Sequence, residues 1–213
     1  MKRRTLDILF SIGGLFIAAL LVVAGFVLHS NANFANTYVH DQLAQEQIFF
    51  KTAATLTDEE KKAPCLTQYA GQQLTTGKQA ECYANQFIGL HVKSIAAGKT
   101  YAQLGDDQAA LRTQLAAAQT ANAANVADLQ KQLDTVTAQR ETLFKGEALR
   151  GMLLTSYGFS EFGAKAGQAA LVAFLAAGLM LLLALAGLVH AFTTAKNVGF
   201  AVVEEPREPV ATR

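Results

Sequence analysis

Two cysteines, four histidines and one charged turn are the residues of this chain with chemistry to offer. Cys65 and Cys82 are its only thiols. Their spacing is too long for chelation within one turn, and no histidine falls between them, so half of a metal site fits poorly. A disulfide formed in an oxidising compartment is the simplest reading. Closing a loop of that size stabilises a fold by about 3 kcal/mol in the chain-entropy picture.

The histidines do not assemble a site on paper. His40, Asp41, Glu46 and His91 carry ligand groups, yet no pair of them stands at i, i+4 on one helix, the spacing that aims two ligands at one ion. A facial triad for iron would need His40 and His91 brought together with a carboxylate. The blander reading places them at helix surfaces or contacts. His29 and His190 stand at the ends of apolar segments, where an amphipathic ring suits the headgroup layer. There is no Gly-x-Ser-x-Gly elbow, phosphate loop or dinucleotide fingerprint. The expectation is a non-enzyme with no catalytic residues, no metal and no cofactor.

The charged turn is "KGEALRGMLLTSYGF", Lys145 to Phe159. Glu147 and Arg150 stand three apart and can pair on a helix face for a few tenths of a kcal/mol, roughly. Gly146 is expected to break or loosen the helix by about 1 kcal/mol relative to alanine. Gly151 follows, and Tyr157 and Phe159 suit an interfacial aromatic belt. The stretch is read as a junction where a polar helix turns into the membrane, with docking of a partner as the other role for Gly146, Glu147, Arg150, Gly151 and Tyr157.

The elements that must position these residues begin with two apolar segments. Residues 8–28 and 167–189 carry no formal charge and are long enough, at about 1.5 Å per residue, to cross a hydrocarbon layer of about 30 Å. The expected layout is a cytoplasmic N-terminus over 1–7, a first span over 8–28, an extracytoplasmic helical domain over 29–166, a second span over 167–192 and a disordered tail over 193–213. Lys2, Arg3 and Arg4 before the first span and Lys196 after the second favour cytoplasmic termini in the plasma membrane. A cleavable signal peptide ending near Ser30-Asn31-Ala32 competes, although the apolar run is longer than such a segment requires. Neither span has an ionisable residue at its centre to carry transport. A net charge of +1 gives no concentrated basic surface for nucleic acid. A weak Pro-x-x-Pro match, Pro206 to Pro209, sits in the tail.

Between the spans the pattern is helical. With no Gly or Pro to stop it, the first helix is expected to continue to about Ala54. Thr57 and Glu60 form a capping box before Pro64. A helix is expected over 78–97, stopped by Gly98. From Asp106 to Phe144 one long polar helix is expected, with Val126, Leu129, Leu133, Val136 and Leu143 as a coiled-coil-like stripe that Gln119, Asn122 and Arg140 interrupt. Inside the membrane, Gly163 with Gly167 and then Ala169, Ala173 and Ala177 present small residues at spacing four, and Gly14 with Ala18 offers a counterpart. Packing between the two spans is expected, and a homo-oligomer or membrane-protein partner is the other use of such faces.

"GKQAECYANQFIGLHVKSIAAGKTYAQLG" and "RETLFKGEALRGMLLTSYGF", set between a KRR-flanked first span and an Ala-rich second, resemble a family of small two-span membrane proteins of actinobacteria. The function of that family is undetermined, and its members are often labelled automatically as aromatic ring-opening dioxygenases. The resemblance covers most of residues 1–192. It implies the two-span topology and supplies no catalytic residues.

The fold class expected is therefore all-α: two transmembrane helices joined by an elongated extracytoplasmic helical bundle with a long coiled-coil-like helix. The expected role is an accessory subunit or envelope scaffold whose outer helices bind a protein or lipid partner. An extracytoplasmic sensor signalling through a separate partner is the alternative, and a metal-dependent oxygenase is a distant third.

Overall fold

The computed structural model describes residues 3–194; Lys2, Lys196 and the segment expected to be disordered from residue 195 onward lie outside them. Among the described residues all regular structure is helical, apart from one antiparallel bridge between Phe49 and Gln73. The order is α1 (Arg3–Gln45), a 3-10 turn (Ala53–Thr55), α2 (Asp58–Lys61), α3 (Pro64–Gln68), α4 (Gly77–Cys82), a π turn (Tyr83–Ile88), α5 (Gly89–Ile95), α6 (Tyr101–Thr120) and α7 (Val126–Thr193). Residues 3–31 and 165–194 form one compact unit and residues 32–164 another, with α1 and α7 contributing to both.

In the first unit α1 and α7 are each long and apolar enough to cross a membrane, and little of their apolar surface is covered. Phe10, Phe16, Val23, Leu175, Leu182 and Val189 all face outward. Apolar surface this continuous suits a hydrocarbon surround, since a soluble core helix would bury it. The faces that are covered carry small residues. On α1 they are Ser11, Gly14, Ala18 and Gly25; on α7 they are Ala170, Ala173, Ala177, Ala184 and Ala191. A methyl group added at Gly14 would lie 3.3 Å from Ala184 Cβ, and one at Gly25 would lie 2.7 Å from the Phe174 ring, so the two backbones run close. The direction is antiparallel: Asp7 meets His190 (2.9 Å) at one end, and Phe26 meets Phe174 edge-on at 5.3 Å toward the other.

The expected seam needs adjustment. Ala173 and Ala177 are buried and Gly167 half-buried, but Ala169 is exposed and its neighbour Ala170 takes the covered position. The buried alanines Ala170, Ala177, Ala184 and Ala191 recur every seventh residue, as do Ser11, Ala18 and Gly25 on α1. Seven residues is the period that keeps one stripe facing a partner along two helix lengths, whereas a strict four-residue step drifts around the helix.

The second unit has its own core, gathered around Leu43, Phe50, Leu66, Leu74, Leu143 and Leu153. The first helix stops at Gln45, nine residues short of the expected end. Gln47 takes a left-handed conformation (φ 50°), and Phe50 N–H donates to Gln72 O while Leu74 N–H donates to Ile48 O. Gln73 Nε2 donates to Ala44 O at 2.8 Å and satisfies a carbonyl freed at the end of α1. This tertiary cap replaces the Gly or Pro that local sequence rules look for, and it lets Phe50 turn inward. The cap on α2 is as expected, with Glu60 N–H donating to Thr57 Oγ1 and Thr57 N–H to Glu60 Oε2. Pro64 opens α3 at its first turn, where a missing N–H costs nothing.

The expected single helix over 106–144 is two helices folded back on one another. Thr100 and Gln103 form a capping box that starts α6 at Tyr101, ahead of Asp106. The chain then reverses over 121–125, where Asn122 is left-handed (φ 48°). Asparagine tolerates that region better than most residues. Folding back gives the thin stripe a partner: Leu115 and Ala118 pack on Leu129, with Leu111, Val126 and Leu133 around them. Arg140, which interrupts the stripe in sequence, closes a polar layer between this cluster and the main core. Its Nη1 donates to Gln108 Oε1 (2.8 Å), Gln108 Nε2 donates to Thr137 Oγ1 (2.7 Å), and its guanidinium lies over Tyr101 at 4.2 Å.

Candidate functional site

A cleft of about 620 Å³ lies in the second unit. One wall is the run from α4 to α5. Thr76 and Gln79 cap its start with another capping box, and the Cys65–Cys82 disulfide (S–S 2.01 Å, Cα–Cα 6.1 Å) ties its first turns to α3. The π turn then inserts between α4 and α5, and such single turns are frequent at functional sites. It contributes Asn85, and α5 contributes Gly89, Val92 and Lys93. The helix expected over 78–97 thus exists as one run with a π turn inside it. It ends where Ala97 (φ 51°) and Gly98 (φ 85°) turn left-handed, and Gly98 N–H donates to Lys93 O. Lys99, Thr100, Tyr101 and Ala102 form the floor beyond that turn.

The opposite wall is α7, presenting Leu143, Glu147 and Arg150. Gly146 does not break this helix. A methyl group there would stand 2.5 Å from Val92 Cγ2, so the glycine is where α7 and α5 touch. The expected Glu147–Arg150 pair is present but long, at 3.4 Å. Arg150 Nη2 donates to Asn85 Oδ1 at 3.2 Å, and its Nε is buried without a protein acceptor among the described residues. Lys99 pairs with Asp107 at 2.6 Å. Gly151 is exposed and faces open space, and Met152 is 68 % exposed.

Tyr157 belongs to a different contact. Lys78 Nζ donates to its hydroxyl (3.2 Å), lies 4.6 Å from its ring centre and pairs with Glu161 at 3.1 Å. The hydrogen bond to Tyr157, followed by that to Glu161, holds the Lys78 ammonium above the usual lysine range. Beside it Gly77 lies against Ser160, and Gly163 against Ala35 with a methyl-group distance of 2.8 Å. An aromatic cluster lies on the same two helices: Phe34 and Tyr38 stack at 5.7 Å, and Phe159 meets both edge-on at 6.3 and 5.9 Å. These rings stay exposed, as does Phe162 at 77 %. Their i, i+4 spacing on α1 was visible in the sequence, but their pairing with Phe159 depends on how the helices fold back.

The histidines are placed apart from the cleft lining. His40 contacts its neighbour Asp41 at 3.2 Å, and His91 Nδ1 lies 2.7 Å from Phe87 O. His91 Nε2 approaches Glu60 at 3.7 Å. Glu60 is 1 % exposed. Burial pushes its carboxyl up, but hydrogen bonds from Lys51 (2.8 Å) and from the Thr57 N–H and hydroxyl, with the Lys51 charge, outweigh this and leave it below its ordinary value. Among the described residues no three metal-ligating side chains converge.

The chain matches no family model, no curated protein and no solved structure.

Proposed function

We propose that this chain is a two-span membrane protein without catalytic activity, an accessory subunit or envelope scaffold whose extracytoplasmic helices bind a protein or lipid partner. The antiparallel pair of apolar helices supports the spans, and Arg3 and Arg4 favour placing both termini in the cytoplasm. The Cys65–Cys82 disulfide then fits an extracytoplasmic location for residues 29–166. The observation that carries the binding role is the exposed ring cluster of Phe34, Tyr38 and Phe159, because apolar patches rimmed by polar residues mark interaction surfaces. Purification in mild detergent from native membranes, with mass spectrometry of what accompanies the chain, tests it. A partner retained by the wild type and lost from Phe34→Ala/Tyr38→Ala is expected. Recovery of the chain alone at native abundance would count against the reading.

A sensor is the second reading, favoured by one observation. α7 carries Glu147 and Arg150 of the cleft and continues as one helix to Thr193, so the cleft and the second apolar segment share an element. Removing residues 193–213 separates the two: a sensor loses its output, and a scaffold keeps its partner.

A further inference from the structure

We propose that the cleft between α5 and α7 binds a small organic anion, a carboxylate or phosphate group attached to an apolar body. The inference does not rest on the scaffold reading, since it concerns what the cleft takes up. Its volume, about 620 Å³, falls within the range of pockets that hold small molecules. Charge selects the ligand. Lys93, Lys99 and Arg150 line it against one carboxylate, Glu147. Lys99 is engaged by Asp107, but the Lys93 ammonium has no ion pair or hydrogen bond among the described residues.

Arg150 is held yet incompletely used. Its contacts at 3.4 Å to Glu147 and 3.2 Å to Asn85 exceed the roughly 2.7–2.9 Å of a strong charge-assisted hydrogen bond, and its Nε has no protein acceptor. A guanidinium held this loosely can exchange the Glu147 and Asn85 contacts for bidentate contact with a planar carboxylate or a phosphate. Half-buried, it also acts in a medium less screening than bulk water. The apolar part of the ligand has Val92, Tyr101 and Leu143 to lie on. The guanidinium lies alongside α5, where a methyl group at Gly89 would stand at an ordinary contact distance of 3.8 Å from Arg150 Nε. A cationic or neutral ligand would use none of this surplus positive charge.

The test uses the full chain in nanodiscs of phosphatidylcholine, titrated with phenyl phosphate and benzoate and, as the neutral isostere, benzyl alcohol, by calorimetry with the Tyr101 ring resonances as a second readout. One-to-one binding of at least one anion, ten-fold or more tighter than benzyl alcohol and weakened by added potassium chloride, is expected. Arg150→Gln should lose ten-fold or more, and Lys93→Gln, an exposed position that leaves the fold untouched, several-fold. Discs containing phosphatidylglycerol distinguish the source: competition with phenyl phosphate assigns the site to a lipid headgroup, and unchanged binding assigns it to a soluble anion. The proposal is overturned if benzyl alcohol binds as well as the anions, if neither anion binds at millimolar concentration, or if Lys93→Gln and a folded Arg150→Gln both bind like the wild type.

Discussion

Gly146 and Val92 stand so close that a single methyl group on the glycine would come within 2.5 Å of Val92 Cγ2. Val92 is β-branched, buried and held on α5, so it has little freedom to move aside. Alanine improves helix propensity by about 1 kcal/mol, but overpacking a tight contact costs typically about 1–3 kcal/mol. Gly146→Ala is therefore expected to destabilise the chain by about 1 kcal/mol. Gly151→Ala, on the same helix with open space before it, is expected to be neutral or slightly stabilising. Denaturant titration of the two variants side by side checks the difference in sign.

Removing the disulfide has a direct consequence for the second unit. Cys65→Ala/Cys82→Ala frees the chain over a sequence separation of 17 and unties α3 from the start of α4. A loss of about 2–4 kcal/mol is expected. Thermal melts with and without reductant measure it, and a wild type whose melting is indifferent to reduction would contradict it.

Glu60 makes stability depend on pH. Its carboxyl lies below the ordinary value of 4.5 in the folded chain, so folding holds it ionised. The stabilisation is fully present above the unfolded carboxylate value and is lost as pH falls through the lower folded value. At neutral pH Glu60→Gln is expected to cost about 1–3 kcal/mol, because the buried hydrogen bonds from Lys51 and Thr57 lose their charged acceptor. In strong acid the difference between variant and wild type should close. Paired denaturation curves across acidic and neutral pH read both limits.

Between the two apolar helices, Gly14 lies beneath Ala184. Gly14→Leu is expected to force the helices apart and lower the melting temperature in detergent by several degrees, roughly the effect of about 1–3 kcal/mol. Gly13→Leu, one residue away with nothing nearby, provides the comparison and should leave it unchanged.

Much of this was legible from residue types alone. The two apolar segments, the cysteine pair, the Thr57–Glu60 box and the stop at Gly98 are local or compositional signals, and each is where the chain led one to expect it. Two further Thr-x-x-Gln boxes, at Thr76 and Thr100, follow the same rule and were equally readable. What was hidden depends on distant partners. Nothing near Gln45 announces the end of α1, because the group that caps it is the side chain of Gln73. Gly146 has the propensity of a breaker, but its neighbours keep the helix and use the missing methyl for contact. The reversal at Asn122 lies in an alanine-rich run whose propensity favours helix; only the packing of Leu115 on Leu129 repays the turn. The cleft is half visible in the sequence: Glu147 and Arg150 stand in one charged turn, while Asn85 meets Arg150 from a π turn that no local pattern signals.

The bond between Cys65 and Cys82 closes a covalent ring, and the exposed turn at Gly71, with φ of 73°, sits inside it. A protease that nicks the chain at this turn therefore releases no fragment. The cut protein migrates as a single species until the bridge is reduced, and only then separates into an amino-terminal piece carrying α1 and a carboxy-terminal piece carrying α7.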